Sequence, residues 1–370
     1  MPGMTDTTPG RSYGPAARAG AMLAGLSTTV KLLILLAVVL VGWGLGSGLM
    51  MDVFFWEVVI SGLLAGVMYA LVALGFVLIF KASGIFNFSQ GVLALFAALT
   101  LVGFQTGQVP FAHLINAVFG TEIHHWSETG MPDLAAIAAT LAVMIGLAWL
   151  VVHLIFKPLV GQPGIILFMA TIGLAFVLEG TGDLMWGANV KVLDIGLPSG
   201  PSDTIIDTTG MFIDKIEISA AVIAVILVVA LTLFSQYTKM GRALRAVADD
   251  HQAALSVGIS LETIWWVVWS VAGIVALVAG VMWGASSGVQ FSLSLIALKA
   301  LPVLMLGGFT SIPGAIVGGL IIGVGEKLFE FYIGPFIGGA TENWFAYMLA
   351  LLFLLFRPQG LFGEKIIERV

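Results

Sequence analysis

Ten apolar runs follow one another along most of this chain, near 30–50, 57–80, 90–105, 134–156, 165–187, 217–236, 263–284, 293–309, 314–333 and 342–357. A hydrocarbon core of about 30 Å takes roughly 20 helical residues at about 1.5 Å each. Most of these runs meet that length. The expected fold is therefore all-α, a polytopic integral membrane helix bundle of about eight to ten transmembrane helices. The runs near 90–105 and 293–309 are short, which marks them as broken or re-entrant segments. Composition agrees: 59% of residues are hydrophobic and 10% charged. Soluble domains stand at about 45–50% and about 25%, so there is too little charge here for a water-facing surface.

Several function classes drop out. The chain has no cysteine, which removes disulfides, thiol chemistry and cysteine-ligated metal. Its net charge of −6 comes with no basic stripe, so no nucleic-acid partner is expected. There is no phosphate-binding G-x-x-x-x-G-K-[ST] loop and no H-E-x-x-H. The chain itself is expected to be no enzyme and to carry no cofactor. His124 and His125 stand near Glu122 and Glu128 with no third histidine close by. They read as a solvated loop, not a metal site.

Residues 1–27 are polar, with Gly, Pro, Thr, Arg11 and Arg18. They read as a disordered cytoplasmic tail, followed by an uncleaved first helix rather than a signal peptide. A transmembrane domain then covers 28–357, and 358–370 form a C-terminal tail. Orientation follows the Lys/Arg bias of short loops. Lys31, Lys81, Lys157, Lys239, Arg242, Arg245, Arg357, Lys365 and Arg369 fall on one side if the spans alternate. The segments 106–133 and 188–216, the first without Lys or Arg and the second rich in Asp, fall on the other. Ten crossings place both termini in the cytoplasm.

Four features stand out. The stretch FKASGIFNFSQGVLALF, 80–96, sets Asn87, Ser89 and Gln90 between Gly84 and Gly91. Non-helical backbone at membrane depth is tolerated only inside protein or beside water. Ser89 is expected to cap a helix starting near Gln90, and the three polar residues are candidates for a translocation pathway. The alternative is an ordinary cytoplasmic hairpin. The second feature is the loop 238–260, TKMGRALRAVADDHQAALSVGIS. Met240–Ala248 has helical composition, Asp250 is suited to cap a short helix His251–Val257, and Gly258 to end it. Ala253 and Ala254 permit close approach of another surface, so docking of a cytoplasmic protein is expected. Contact of Arg242 and Arg245 with lipid phosphates is compatible with that. The third is the glycine series Gly307, Gly308, Gly314, Gly318, Gly319 and Gly323, read as tight helix packing. The fourth is charge within apolar runs: Glu179, Lys299 and Glu326. Lys299 is expected to snorkel to an interface, and Trp265, Trp266 and Trp269 to anchor a span there.

YALVALGFVLIFKASGIFNFSQG (69–91), GRALRAVADDHQAALSVGI (241–259), LGGFTSIPGAIVGGLIIG (306–323) and LFRPQGLFG (355–363) occur in this order. The pattern resembles the permease subunits of branched-chain amino acid ABC transporters, of the LIV-H type. It runs from about residue 57 to the C-terminus and is shared by importers of urea, short-chain amides and other amino acids. The resemblance implies a bacterial inner-membrane permease forming half of a translocation pathway. Its implied partners are two ATP-binding subunits, a second permease subunit in a heterodimer and a periplasmic substrate-binding protein. It maps coupling to the ATP-binding subunits onto Arg242, Arg245, Asp249, Asp250, Ala253, Ala254 and Gly258. It maps a family turn onto Asn87, Phe88 and Gly91, and places Glu179 in a family-like block. A stand-alone secondary carrier using Glu179 or Lys299, and a membrane scaffold without transport, are the rival classes.

Overall fold

The computed structural model describes residues 53–249, 254 and 256–363. The expected tail 1–27, the first span near 30–50, Asp250, Ala253 and the residues beyond Gly363 lie outside the described residues. In chain order the helices are α1 Val53–Ser83, α2 Gln90–Gln105, α3 Ala112–Phe119, α4 Asp133–Val151, α5 Gly164–Trp186, α6 Asp203–Thr209 and α7 Lys215–Tyr237. They continue with α8 Lys239–Asp249, α9 Leu261–Ser287, α10 Ile296–Gly307, α11 Ile312–Tyr332, α12 Gly334–Ile337 and α13 Glu342–Phe356. α4 runs on through a π-helical turn, Val152–Phe156, and α10 is entered by a 3-10 turn, Phe291–Leu295. Among the described residues, β pairing is limited to isolated bridges such as Lys191 with Val289.

The chain is thus a polytopic helical membrane bundle. Six of these helices are long and apolar enough to cross a bilayer: α1, α4 with its extension, α5, α7, α9 and α11. Three shorter apolar helices, Gln90–Gln105, Phe291–Gly307 and Glu342–Phe356, accompany them.

The short run at 90–105 has a physical explanation. α2 is buried from Gln90 to Gly103. A helix enclosed by other helices need not match the thickness of the hydrocarbon. Its neighbours come close because small residues meet backbone. A Cβ on Gly280 of α9 would stand 2.2 Å from the Ala94 carbonyl oxygen, and one on Gly91 2.2 Å from that of Ser294. Packing between membrane helices relies on such approach, since lipid removes the hydrophobic drive between them. At the rim the pattern reverses. α7 turns Val222, Val225, Ile226 and Val229 outward, and α5 turns Met169, Phe176 and Val177 outward.

α1 and α11 cross at a double glycine contact. Gly62 meets Gly323, and Gly66 meets Gly319, each with less than 3 Å between a notional Cβ and the facing carbonyl oxygen. α10 and α11 form a hairpin whose closest point is Gly307 against Gly314, while Gly318 rests on the Val303 carbonyl. The turn passes through Gly308 at φ 102°, a conformation open to glycine. The last carbonyls of α10 would be orphans. Leu361 N–H donates to Leu306 O at 2.7 Å and Phe362 N–H to Gly307 O at 3.1 Å. The stretch 355–363 therefore folds back onto 306–314, so two separated sequence blocks meet.

The tryptophans differ from expectation. Trp265 and Trp269 turn inward and are buried, with Trp269 tilted against Phe156 at 4.8 Å between ring centres. The apolar body of each ring fills the bundle between α4 and α9 instead of anchoring an interface.

Candidate functional site

The polar turn lies alongside α1, short of the end of that helix. A Cβ on Gly75 would meet the Gln90 side chain, and Gly75 is eight residues before the end of α1, about 12 Å along it at 1.5 Å per residue. Residues 84–89 therefore run back beside the last turns of α1 before α2 begins. The reversal is made at Gly84, φ 65°, after Gly84 N–H donates to Phe80 O at 2.8 Å.

Asn87, Ser89 and Gln90 are fully buried and satisfy one another. Asn87 Oδ1 accepts from Ser89 N–H at 3.1 Å and from Ser89 Oγ–H at 2.6 Å. Asn87 Nδ2 donates to Gln90 Oε1 at 3.2 Å, and Gln90 Nε2 donates to Ala272 O of α9 at 3.3 Å. Ser89 occupies the position before α2, yet its hydroxyl makes no bond to the helix start. The expected serine cap is corrected: the hydroxyl is turned back by the stronger acceptor, the Asn87 amide oxygen. Thr171 of α5, not singled out from sequence, clips the turn from outside. Its Oγ1 accepts from Phe88 N–H at 3.1 Å and lies 3.2 Å from Phe86 O. Phe76, Phe86, Phe168 and Phe309 pack against one another around this polar knot. Asn87→Ala removes the acceptor for two buried donors. It should lower stability by about 2–3 kcal/mol, read as a fall in the unfolding midpoint of the solubilised protein.

At the Lys/Arg-rich end, α7, α8 and α9 make the folded loop. Thr238 Oγ1 accepts from Gly241 N–H at 2.9 Å and so starts α8. Leu244 and Val247 are buried. Arg242 Nη1 donates to Tyr237 O and Arg245 Nη2 to Gln236 O, each at 3.4 Å. Both arginines thereby reach the terminal carbonyls of α7, where cations suit the dipole. Asp249 ends α8. Gly258 sits at φ 84° and Ile259 N–H donates to Ala254 O at 3.0 Å, the closure of a helix C-terminus. Ala254 is buried within the chain, so its smallness serves internal packing; Val257 is 76% exposed and offers the outward apolar contact. Lys157 and His153 of the α4 extension pair with Glu262 of α9 at 2.9 and 2.7 Å, which fastens this end.

At the opposite end a charged network was only half visible in the sequence. Lys299 turns to a buried carboxylate. Its Nζ lies 2.7 Å from Glu326 Oε1 and 3.7 Å from Glu342 Oε2, and Lys327 Nζ lies 2.8 Å from Glu342 Oε1. Tyr69 OH donates to Glu326 Oε1 at 3.0 Å. Glu326 is 1% exposed, and a carboxylate so enclosed is costly to leave without a counter-charge. The signal available in sequence was the rule that an intramembrane charge wants a named partner. In the adjoining loop, Lys191 Nζ donates to Gln108 Oε1 at 3.0 Å, and burial lowers the pKa of its ammonium. Glu179, on α5, is half-buried beside outward-facing Phe176 and makes no ion pair among the described residues.

Comparison with known proteins follows the same boundaries. Residues 58–357 match the family model described as branched-chain amino acid transport system / permease component. The high-affinity branched-chain amino acid transport system permease protein LivH of Escherichia coli K12 is 26% identical over 332 residues, covering 86% of this chain and 98% of its own. The corresponding permease protein BraD of Pseudomonas aeruginosa is 28% identical over 319 residues, 84% of this chain and 96% of its own. Among solved structures, PsaBC from Streptococcus pneumoniae in complex with Fab covers 80% of this chain and 89% of its own at 12% identity, with a TM-score of 0.39. That likeness is too loose to fix the fold. The family model covers nearly all of the described bundle, and both relatives align almost end to end; the chain belongs to the branched-chain amino acid transport permease family.

Proposed function

We propose that this permease is one membrane half of an ABC importer for branched-chain or related amino acids. It works with a second permease, two ATP-binding subunits and an external substrate-binding protein. The observation that carries the reading is the family match over 58–357. The folded loop supports it: α8 is pinned to the end of α7, and Val257 and Arg242 face outward beside it. ATP-driven closure of the two nucleotide-binding subunits would pull on Arg242, Arg245, Asp249, Asp250, Ala253, Ala254 and Gly258. α7 and α9 carry that movement into the bundle. Asn87, Ser89, Gln90 and Glu179 belong to the moving pathway, with both termini and the loop 238–260 in the cytoplasm.

The experiment is uptake into liposomes holding the chain with and without its partner subunits. Leucine uptake that requires ATP and all partners is expected. Uptake by the solitary chain, driven by an ion gradient, overturns the reading in favour of a secondary carrier, which the pairing of Lys299 with the buried Glu326 also suits. Selective uptake of urea or a short-chain amide would reassign the substrate within the family. Val257→Asp tests docking without disturbing the fold, since the side chain is exposed. It should reduce ATP-dependent uptake at least tenfold with the unfolding midpoint unchanged; unchanged uptake removes Val257 from the docking surface.

A further inference from the structure

A cavity of about 590 Å³ lies at the end of the bundle remote from α8. Its wall takes Glu217 from the start of α7, Ser286 from the end of α9 and Glu342 from the start of α13, and it reaches inward to Tyr69 and Lys299. That volume is within the range of small-molecule sites, about 300–1,000 Å³. Charges of both signs converge on it from four helices: Glu217, Lys299 of α10, Lys327 of α11 and Glu342. Met68, Ile296 and Leu298 give it aliphatic wall.

The charges are not equally engaged. Glu342 bridges the two lysines, at 2.8 Å to Lys327 and 3.7 Å to Lys299, while Lys299 is held more closely by Glu326 at 2.7 Å. Glu217 lines the same space and makes no ion pair among the described residues. A carboxylate shared between two lysines, beside a second carboxylate with no ion pair among the described residues, is an arrangement into which a second ion pair can be exchanged. A ligand bringing one charge of each sign leaves the net charge of the site unaltered. An uncharged amide brings none and gains nothing from the exchange.

We propose that this cavity reads the two charged groups of a free aliphatic amino acid. The ligand carboxylate takes the place of Glu342 at Lys327. The ligand ammonium meets Glu217 and the released Glu342. The aliphatic wall receives the side chain. This assignment rests on the reading of the chain as an amino acid permease, and it deepens that reading by naming the residues that distinguish an amino acid from an amide.

The test uses the full chain with its second permease and ATP-binding subunits in lipid nanodiscs, without the external binding protein. Saturation-transfer NMR compares leucine, leucinamide and 4-methylpentanoate, which share one aliphatic body and differ in their charges. Leucine should bind at least tenfold more tightly than either. Glu217→Gln breaks no ion pair and should weaken leucine and leucinamide about tenfold while sparing 4-methylpentanoate. Lys327→Met should weaken leucine and 4-methylpentanoate while sparing leucinamide. Equal binding of the three ligands, or a Glu217→Gln profile identical to wild type, overturns the site. ATP-driven leucine uptake is measured on the same complexes in liposomes with the binding protein added. Uptake intact with a flat ligand profile removes this cavity and leaves the importer reading standing. Absence of ATP-driven amino acid uptake removes the reading beneath both.

Discussion

Gly319→Leu should leave almost no folded chain in the membrane. A Cβ at this position would stand 2.5 Å from the Gly66 carbonyl oxygen and 2.9 Å from the Ala70 side chain. The obstruction is backbone, so no rotamer change relieves it. α1 and α11 must move apart, and the neighbouring Gly62–Gly323 contact, 2.3 Å by the same construction, opens with them. Overpacking a core costs about 1–3 kcal/mol even where side chains can shift. Two rigid helices forced apart along their crossing exceed that, against a total stability of about 5–15 kcal/mol. The measurement is yield and elution profile of the detergent-solubilised protein. Gly173→Ala supplies the control. It is equally a glycine in a membrane helix, but nothing lies within 4 Å of its Cβ. Replacing it should be neutral, or stabilising by up to about 1 kcal/mol through helix propensity. Loss of yield in both variants would show that glycine itself, and not the crossing, is what the helices require.

The described helices stand where hydropathy placed them because crossing a bilayer demands length, and length is read directly from sequence. Partnering is another matter. Gly314, Gly318 and Gly319 signal close packing by composition. Nothing in their spacing says that Gly319 meets Gly66 of α1 while Gly318 meets Val303 of α10, since neighbouring glycines on one helix face different helices. The polar turn was legible as a break, and its depth was not. Depth is set by how far residues 84–89 fold back along α1, which depends on the Gly75 notch that admits Gln90. Trp265 and Trp269 were misplaced because aromatic residues near a span end serve equally as interface anchors and as filling between helices. The cavity is the least legible part. Glu217, Lys327 and Glu342 sit near helix ends, where single charges are ordinary, and only the fold brings them to one wall.

Lys299→Met should be among the most damaging single changes away from the glycine crossings, and restoring stability by a second deletion is the telling result. Glu326 is 1% exposed and takes its bonds from Lys299 at 2.7 Å and Tyr69 at 3.0 Å. Removing the lysine leaves a carboxylate in a low-dielectric interior, a loss of about 3–5 kcal/mol. Glu326→Leu strands the ammonium less severely, because Glu342 stands 3.7 Å from Lys299 and can take it over. In the double variant neither charge is left without its partner, and an apolar pair of similar volume is often as stable as the ion pair it replaces. The unfolding midpoint of Lys299→Met/Glu326→Leu should therefore lie above that of Lys299→Met alone. A double-mutant cycle should give a coupling of about 2–3 kcal/mol, well outside the scatter of independent sites. Tyr69→Phe, which withdraws one hydrogen bond from Glu326 and leaves the lysine in place, should cost only about 1 kcal/mol. Additive losses in the cycle would mean that each charge is solvated on its own, and the pair would then not be what holds the buried Glu326 carboxylate in place.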